Sequence, residues 1–578
     1  MTNLRGDAKV LTTRELVKTL SKCNDSSVRN LNIRANGGVD ENVVASGEWL
    51  TRHRNLKKLS LNLGSSKFGQ GLCTALGNLL ANCDSRLKYL VLDGSEITDE
   101  GATILGNALG SSKTLKKLYL IEEGYGFEMS QNGWRELSRG LLHSNSSLES
   151  ITLNGVLKDD KSEYQDNERV TVEVLTVGEM KPLGTALSSI SSLRSLDLSG
   201  NYSLSSSHWG AFLRGLSAGN LSLQKLILDK NKLGDDGVAE LGGMLLGNNS
   251  LKKLSLGGIQ GDIKAESWIA LFGSMANPQS SLEVLNLSRV SIGNDVLAAL
   301  GNCLAGHRTL KQLDLEGVRS GNATGWQTFF GLLANSNSVL EELHLSIDSV
   351  GNEGVSSMVD ALASITSLTK LHMAQFFYGE GDPLDTSGWK TFSSLLRRPS
   401  SNLRALSIDV RLDESAKTAL ASALANNSSL ETLVLGSGYS NGKGLAVLEN
   451  VLCNETSIDS IYTSNHTFKE VIEKSQFGTR KITPSKVVDE LLELNNNANK
   501  SEVARQKILQ YHFYNGNDIA AQVFFDIELK RMPHAVAWIG RCVAGLPLLH
   551  RLIRGMPSLC DYHGNAKLAV AKRKIEEC

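Results

Sequence analysis

One spacing of leucines, L-x-x-L-x-L, returns along most of the chain and dominates its hydrophobic pattern. The fourteen intervals between its first and last occurrence span 430 residues, a mean of about 31. The longest interval, 45 residues between Leu148 and Leu193, predicts an inserted loop in the stretch KDDKSEYQDNERV. The fifteen first positions of the pattern are Val28, Leu56, Leu87, Leu115, Leu148, Leu193, Leu223, Leu251, Leu282, Leu310, Leu340, Leu368, Leu403, Leu430 and Ile458.

The hydrophobic period changes inside each repeat. Leu59 and Leu61 alternate with polar residues, as in a strand with one buried side. The stretch 101–109 follows at helical spacing, and Thr98 stands where a helix cap is expected. One strand and one helix cannot bury their apolar sides alone, so we expect the repeats to stack. The pattern predicts a parallel sheet on a concave side and helices outside.

Tryptophan occurs at a second regular spacing. Fourteen residues before the first leucine of a repeat, five of the seven tryptophans alternate with smaller residues such as Gly237 and Gly354. We interpret this stripe as core packing between neighbouring helices rather than as an aromatic ligand site. The five tryptophans are Trp134, Trp209, Trp268, Trp326 and Trp389.

The repeats LRSLDLSGN (193–201), LQKLILDKN (223–231) and LEVLNLSRV (282–290) resemble the ribonuclease-inhibitor-like leucine-rich repeat family. The resemblance covers roughly residues 25 to 466 and implies an α/β leucine-rich repeat solenoid, a curved horseshoe. The family's asparagine, eight residues after the first leucine, occurs only as Asn36, Asn201 and Asn231. Most repeats must therefore satisfy the turn after the strand in another way.

The ends of the chain depart from the repeat. We expect a helical cap over 1–24, the repeat array over 25–467 with its insertion near 156–180, and helices over 468–578. A solenoid needs terminal caps, so the last segment is either a cap or a small accessory domain. Its block YHFYNGNDIAAQVFF resembles tails of uncharacterised leucine-rich repeat proteins of microbial eukaryotes.

Composition narrows the class of protein. Lys and Arg number 60 and Asp and Glu 61, and this balance argues against nucleic-acid and membrane-surface binding. The eight cysteines are scattered without any C-x-x-C spacing, which favours reduced thiols in the cytoplasm or the nucleus. The N-terminal sequence carries no signal-peptide pattern, and no apolar run reaches the ~18 residues of a membrane span.

Catalytic motifs do not emerge from the sequence. The nearest phosphate-loop candidate, over 436–444, has Ser437 and Gly444 where a P-loop needs Gly and Ser or Thr. Neither H-E-x-x-H nor G-x-S-x-G occurs. We therefore predict a protein that is not an enzyme, with no cofactor, no metal and no small-molecule substrate.

Alternate strand residues should point into the concavity and bind a protein ligand. Two groups stand out: a basic and aromatic one near the N-terminus, and a central acidic one beside two histidines. The candidate partner-binding residues are Lys58, Tyr89, Lys117, Tyr119, Asp314, Glu316, Glu342, His344 and His372. The leading hypothesis is a non-enzymatic interaction scaffold or adaptor. The alternative is a regulator of a small GTPase, similar to the Ran GTPase-activating proteins of this repeat class, although their active residues find no match here.

Overall fold

The structure is a computed structural model that describes slightly more than two thirds of the chain. The predicted cap over 1–24, Asn36 and everything after residue 508 lie outside the described residues. The described ranges are 29–34, 50, 55–62, 67–68, 70–94, 96–122, 128–142, 146–158, 160–165, 168–173, 175–219, 222–319, 322–335, 338–375, 384–398, 401–410, 412–425, 427–436, 443–456, 458–475, 478–481, 486–497 and 499–508.

The chain divides into two compact units, the first running to residue 321 with 336–339, and the second holding 322–335 and everything from 340. Ten strands of the first unit form one sheet, in which every neighbouring pair is parallel. In sheet order they are β1 (Asn30–Arg34), β2 (Lys58–Asn62), β4 (Tyr89–Asp93), β6 (Lys117–Ile121), β8 (Ser150–Asn154), β11 (Ser195–Asp197), β12 (Lys225–Ile227), β13 (Lys253–Ser255), β14 (Val284–Asn286) and β15 (Gln312–Leu315).

Helices alternate with these strands in the sequence, as a repeating strand–helix pattern requires. The helices of the first unit are α1 (Gln70–Ala81), α2 (Asp99–Ser111), α3 (Gln131–Leu142), α4 (Val177–Ser189), α5 (Ser206–Ser217), α6 (Gly234–Gly247), α7 (Ala265–Met275) and α8 (Asn294–Gly306). Short strands β3 (Lys67–Phe68), β5 (Glu96–Ile97) and β7 (Glu128–Met129) form a small parallel sheet of their own.

The insertion after β8 differs from the predicted loop. It forms an antiparallel hairpin of β9 (Asp160–Gln165) and β10 (Glu168–Glu173). The tail of this stretch, ERVTVE, alternates polar and β-branched residues, which is strand chemistry. Its many charges obscured that alternation in the sequence.

The second unit repeats the same arrangement. Its strands are β16 (Glu342–Ser346), β17 (Lys370–Ala374), β18 (Ala405–Asp409), β19 (Thr432–Gly436), β20 (Glu470–Ser475) and β21 (Gly478–Lys481). They pair in this order, all parallel except the final pair, which is antiparallel. Its helices are α9 (Ala323–Ala334), α10 (Ile347–Ser364), α11 (Thr386–Arg397), α12 (Glu414–Ala425), α13 (Lys443–Leu452), α14 (Ile458–Thr463), α15 (Lys486–Asn495) and α16 (Lys500–Ile508).

The repeat start predicted at Ile458 is wrong, because Ile458–Thr463 is the short helix α14. The next strand is β20, in which Glu470 pairs with Thr432 of β19. Phe468 thus takes the position of a first leucine. An asparagine three residues earlier marks that position: Asn465 Oδ1 accepts from the backbone N–H of Phe468 at 3.0 Å, as Asn427 does from Leu430 at 2.7 Å.

Burial explains why the strands hold their positions. In β2, Leu59 and Leu61 are fully buried while Lys58 is exposed, so one side of the strand packs on the helices. The helix that follows β5 begins where the sequence predicts, since the Thr98 hydroxyl accepts from the N–H of Gly101. Each buried leucine of this kind stabilises the fold by roughly 1.5–3 kcal/mol.

The tryptophan stripe is core, as predicted. All five indoles are at most 2% exposed. Trp209 packs edge-on against Phe212 of α5, and Trp326 stacks on Phe330 of α9. A Cβ placed on Gly237 would lie 3.1 Å from the Cβ of Trp209, which explains the small neighbour in the next repeat.

The two asparagines that match the family position carry the turn after the strand. Asn231 Nδ2 donates to the carbonyls of Leu198 and Leu228, and its Oδ1 accepts from the N–H of Asn201. Later repeats place a buried aliphatic side chain at this position instead, as in Val318. There the backbone closes the turn, because the N–H of Val318 donates to the Leu315 carbonyl. This is the different solution that the sequence required.

In the described part of the chain, no helix combines the length and the apolar character needed to cross a bilayer.

Candidate protein-binding surface

The strands of each unit have one buried side and one side turned away from the helices. We call this second side the open sheet face. In β6, Leu118 and Leu120 are buried, whereas Lys117, Tyr119 and Ile121 alternate with them and are partly exposed. The open sheet face therefore displays side chains that the fold itself does not need.

Parallel pairing aligns the predicted basic and aromatic residues of the first unit. Lys58, Tyr89 and Lys117 occupy one row across β2, β4 and β6. The ring of Tyr89 is 37% exposed, and the Lys117 Nζ lies 5.6 Å from its centroid, a cation–π distance. Tyr119 lies in the next row, paired with Val91. The structure brings these four residues together on one surface.

Three more lysines, Lys57, Lys88 and Lys116, lie immediately before this row, at the start of the same three strands. Lys57 and Lys88 are exposed, and neither forms an ion pair within the described residues. Lys116 forms an ion pair with Glu149 at 2.8 Å. The sequence prediction took only alternate strand residues and therefore missed these three lysines. The doubled lysines at 57–58 and 116–117 could have indicated two of them. We define the basic surface as Lys57, Lys58, Lys88, Lys116, Lys117, Tyr89 and Tyr119.

The middle of the same sheet balances its charges. Lys225 of β12 and Lys253 of β13 lie in the same row as Lys58 and Lys117. These two lysines of the middle strands lie near carboxylates. Asp229 accepts from the N–H of Gly257 at 2.6 Å. Burial raises the pKa of Asp229, as does the neighbouring charge of Asp197, while hydrogen bonds from Ser255 and Gly257 and the Lys253 ammonium act in the opposite direction.

Two of the predicted acidic residues lie at the last strand of the first unit. Asp314 is within β15, and Glu316 follows it directly. The N–H of Glu316 donates to Asp314 Oδ1 at 3.0 Å. Part of the Asp314 acceptor capacity is therefore used by its own turn.

The remaining predicted residues lie in the second unit. Glu342 of β16 accepts from His344 Nε2 at 2.8 Å and forms an ion pair with Lys370 of β17 at 3.2 Å. Burial raises the pKa of Glu342, but these two hydrogen bonds and the Lys370 charge outweigh it and hold the pKa below its usual range. The rings of His344 and His372 lie 5.2 Å apart on adjacent strands. Glu342 is thus a neutralised carboxylate rather than an open acidic site.

Three buried thiols and one groove are the remaining features of the described residues that bear on chemistry. Burial raises the pKa of the Cys73, Cys303 and Cys453 thiols to about 12, so these thiols are not nucleophiles at neutral pH. A groove of about 620 Å³ on the helix side of the second unit is lined by hydroxyl, amide and aliphatic side chains that do not titrate near neutral pH.

The amino-acid sequence is similar to those of several known leucine-rich repeat proteins. The chain is 27% identical over 322 residues to the ribonuclease inhibitor of Mus musculus, which covers 56% of this chain and 65% of that protein. It is 26% identical over 365 residues to the ribonuclease inhibitor of Sus scrofa, covering 63% of this chain and 73% of that protein. It is also 26% identical over 356 residues to the human "NACHT, LRR and PYD domains-containing protein 5", covering 62% of this chain and 27% of that protein.

The chain spans just under two thirds of the mouse inhibitor's length. No protein-family model matches it. The stacked strand–helix repeats make each unit an α/β leucine-rich repeat solenoid. The two inhibitors show that the chain is similar in sequence to ribonuclease-inhibitor-like leucine-rich repeat proteins.

Proposed function

We propose that this protein is a non-enzymatic interaction scaffold that binds a protein ligand on its open sheet face. The main support for the proposal is that each strand has one buried side and one side that is open to a partner. Buried leucines fix the backbone, and the alternate side chains form a preordered array of lysine, tyrosine and carboxylate groups. A preordered surface loses little conformational entropy when it binds, and exposed tyrosines are frequent anchors of protein interfaces.

The relatives support the same reading. The inhibitors are named for their action on ribonuclease, a protein. A chain built of the same repeats, with three inert buried thiols and no titratable side chain in the groove described above, fits binding better than catalysis. Regulation of a small GTPase stays the alternative, and no described side chain favours it over simple binding.

A bulk scan of the open sheet face tests the proposal. Partners are captured from lysate on the full chain, identified by mass spectrometry, and then measured against single substitutions spread along the sheets. The scan variants are Ser60→Trp, Thr152→Trp, Ser195→Trp and Ser407→Trp, all at partly buried open-face positions. We expect at least one to weaken capture about tenfold, since a bulky side chain blocks close approach of a partner.

Helix-side substitutions provide the matched control. Leu246 of α6 and Ile269 of α7 are 60% and 42% exposed, so Leu246→Trp and Ile269→Trp add similar bulk on the opposite layer. Capture should survive both. Loss of capture in the helix variants alone, with the open-face variants at full strength, contradicts the proposal.

A further inference from the structure

We infer that the basic surface on β2, β4 and β6 is the docking site for an acidic polypeptide segment of the partner. This inference rests on the proposed function and goes beyond it by naming the chemistry of one contact. Lys58, Tyr89, Lys117 and Tyr119 lie on three neighbouring strands, in rows that the strand pairing aligns. Lys57, Lys88 and Lys116 immediately precede these strands.

The charge of this surface is largely uncompensated. Among the described residues, Lys116 alone of these five lysines has a carboxylate partner, Glu149. Asp93, the carboxylate of β4, is only 5% exposed and accepts from Asn62 Nδ2 at 2.6 Å, so neighbouring side chains shield it from solvent. An uncompensated group of ammonium charges attracts a ligand of opposite sign and raises the rate of encounter.

The spacing suits an extended chain with alternate carboxylates. Lys58 and Lys117 are separated by one intervening strand, which places their Cα atoms about 10 Å apart. An extended peptide presents side chains on one side about every 7 Å, and flexible lysine stems accommodate the difference. Tyr89 and Tyr119 supply apolar area against the peptide backbone between these contacts.

Two observations favour a polypeptide over a nucleic acid. The exposed Tyr89 ring is already partnered by the Lys117 ammonium at 5.6 Å, which competes with base stacking. The lysine-rich stretch is also short: on β11 and after β12 of the same sheet, Asp197 and Asp229 follow, and these carboxylates oppose a polyphosphate that continues along the strands. A short acidic segment ends before it reaches them.

The experiment uses the full chain and a fluorescein-labelled hexaglutamate peptide, with hexalysine and a twelve-nucleotide oligothymidine as comparison probes. Fluorescence anisotropy at low salt should show binding of hexaglutamate and none of hexalysine. The affinity should fall about tenfold when salt rises from about 50 to 300 mM, since exposed charges are then screened.

Charge reversal localises the site. The double variant Lys58→Glu with Lys117→Glu should weaken hexaglutamate binding at least about tenfold. The matched control, Lys225→Glu with Lys253→Glu, makes the same charge change at the same repeat position on β12 and β13. It should stay within about twofold of the unmodified chain. Circular dichroism and thermal melting confirm that both variants remain folded.

Three outcomes overturn the inference: no hexaglutamate binding by the folded chain, an equal loss in both double variants, or oligothymidine binding tighter than the peptide. The bulk scan with captured partner separates this failure from failure of the proposed function. Intact partner capture without peptide binding removes the acidic segment only. Failure of the bulk scan removes the binding face itself.

Discussion

The two sides of the same strands behave as two different regions of the molecule. On the helix side of β12, Leu226 is fully buried in a row of leucines that continues into β11 and β13. On the open side, Lys225 and Ile227 are partly exposed and differ from their neighbours Ser195 and Asp197. The comparison teaches that the fold requires the regular leucines of the buried side, whereas it leaves the residues of the open side free to vary.

Removing a tryptophan on the buried side should produce the largest effect. Trp209→Ala empties a fully buried site packed against Phe212, and we expect a loss of about 3–5 kcal/mol in the free energy of unfolding. Chemical denaturation measures it. The conservative variant Trp209→Phe should cost clearly less. A cost of Trp209→Ala below about 1 kcal/mol would show that the stripe is not core.

A buried turn asparagine should have the next largest effect. Asn231→Ala removes three side-chain hydrogen bonds and leaves the carbonyls of Leu198 and Leu228 and the N–H of Asn201 without these partners. We expect a loss of about 2–3 kcal/mol by denaturation. Val318→Ala, at the equivalent position of a repeat whose turn is closed by backbone, removes only apolar contacts and is the control. An equal loss in both variants would contradict a special role for the amide.

The buried lysine near the end of the described chain predicts a pH effect. Lys507 Nζ donates to the carbonyls of Leu452 and Asn465 at 2.7 and 3.1 Å, and its side chain is fully buried. Burial lowers its pKa from 10.5 to about 7, and the positive charge of Lys500 acts in the same direction. Between these two pH values the unfolded chain binds more protons than the folded one. The contribution of Lys507 to stability should therefore rise from pH 7 towards pH 9, by at most about 1.4 kcal/mol per pH unit. Above pH 9 the raised pKa values of the three buried thiols act in the opposite direction.

Thermal melting of the full chain at several pH values checks this slope against the variant Lys507→Met. The variant should show a flatter dependence over the same range, because its side chain does not titrate. His466, whose pKa burial lowers to about 4, loses its own contribution only as the pH falls below about 6.5 and so leaves this window undisturbed. Identical slopes for the chain and its variant would contradict a lowered pKa of the buried Lys507.

Single lysines of the open face should have the smallest effect on stability. Lys58→Ala and Lys88→Ala remove exposed side chains that form no ion pair within the described residues. We expect changes below about 0.5 kcal/mol by denaturation. A larger loss in the free energy of unfolding would mean that these lysines stabilise the fold, which would contradict the difference between the two sides of the strands.

The buried side of the molecule could be predicted from the sequence because its spacing repeats. Leucine spacing located strands such as β2 and β12, and tryptophan spacing located the helix core. The prediction failed where the chain departs from leucine. Phe468 and Val471 replace the expected leucines of β20, and only the preceding Asn465 indicates that strand.

The open side could be predicted only in part. Alternation identified Lys58, Tyr89, Lys117 and Tyr119 as neighbours, and the pairing joins them. It could not reveal that Glu342 is neutralised by Lys370, because that depends on side-chain rotamers across two strands. The role of the nine predicted residues in binding a partner remains a prediction.

Lysine footprinting of a complex with the captured partner tests the central claim most directly. Acetylation rates are measured by mass spectrometry for the free chain and for the complex. We expect strong protection of at least one of the open-face lysines Lys58, Lys225 and Lys370. The rates at Lys181 of α4 and Lys390 of α11, on the helix layer, should be unchanged. Protection of Lys181 and Lys390 with every open-face lysine still fully reactive would contradict the central claim.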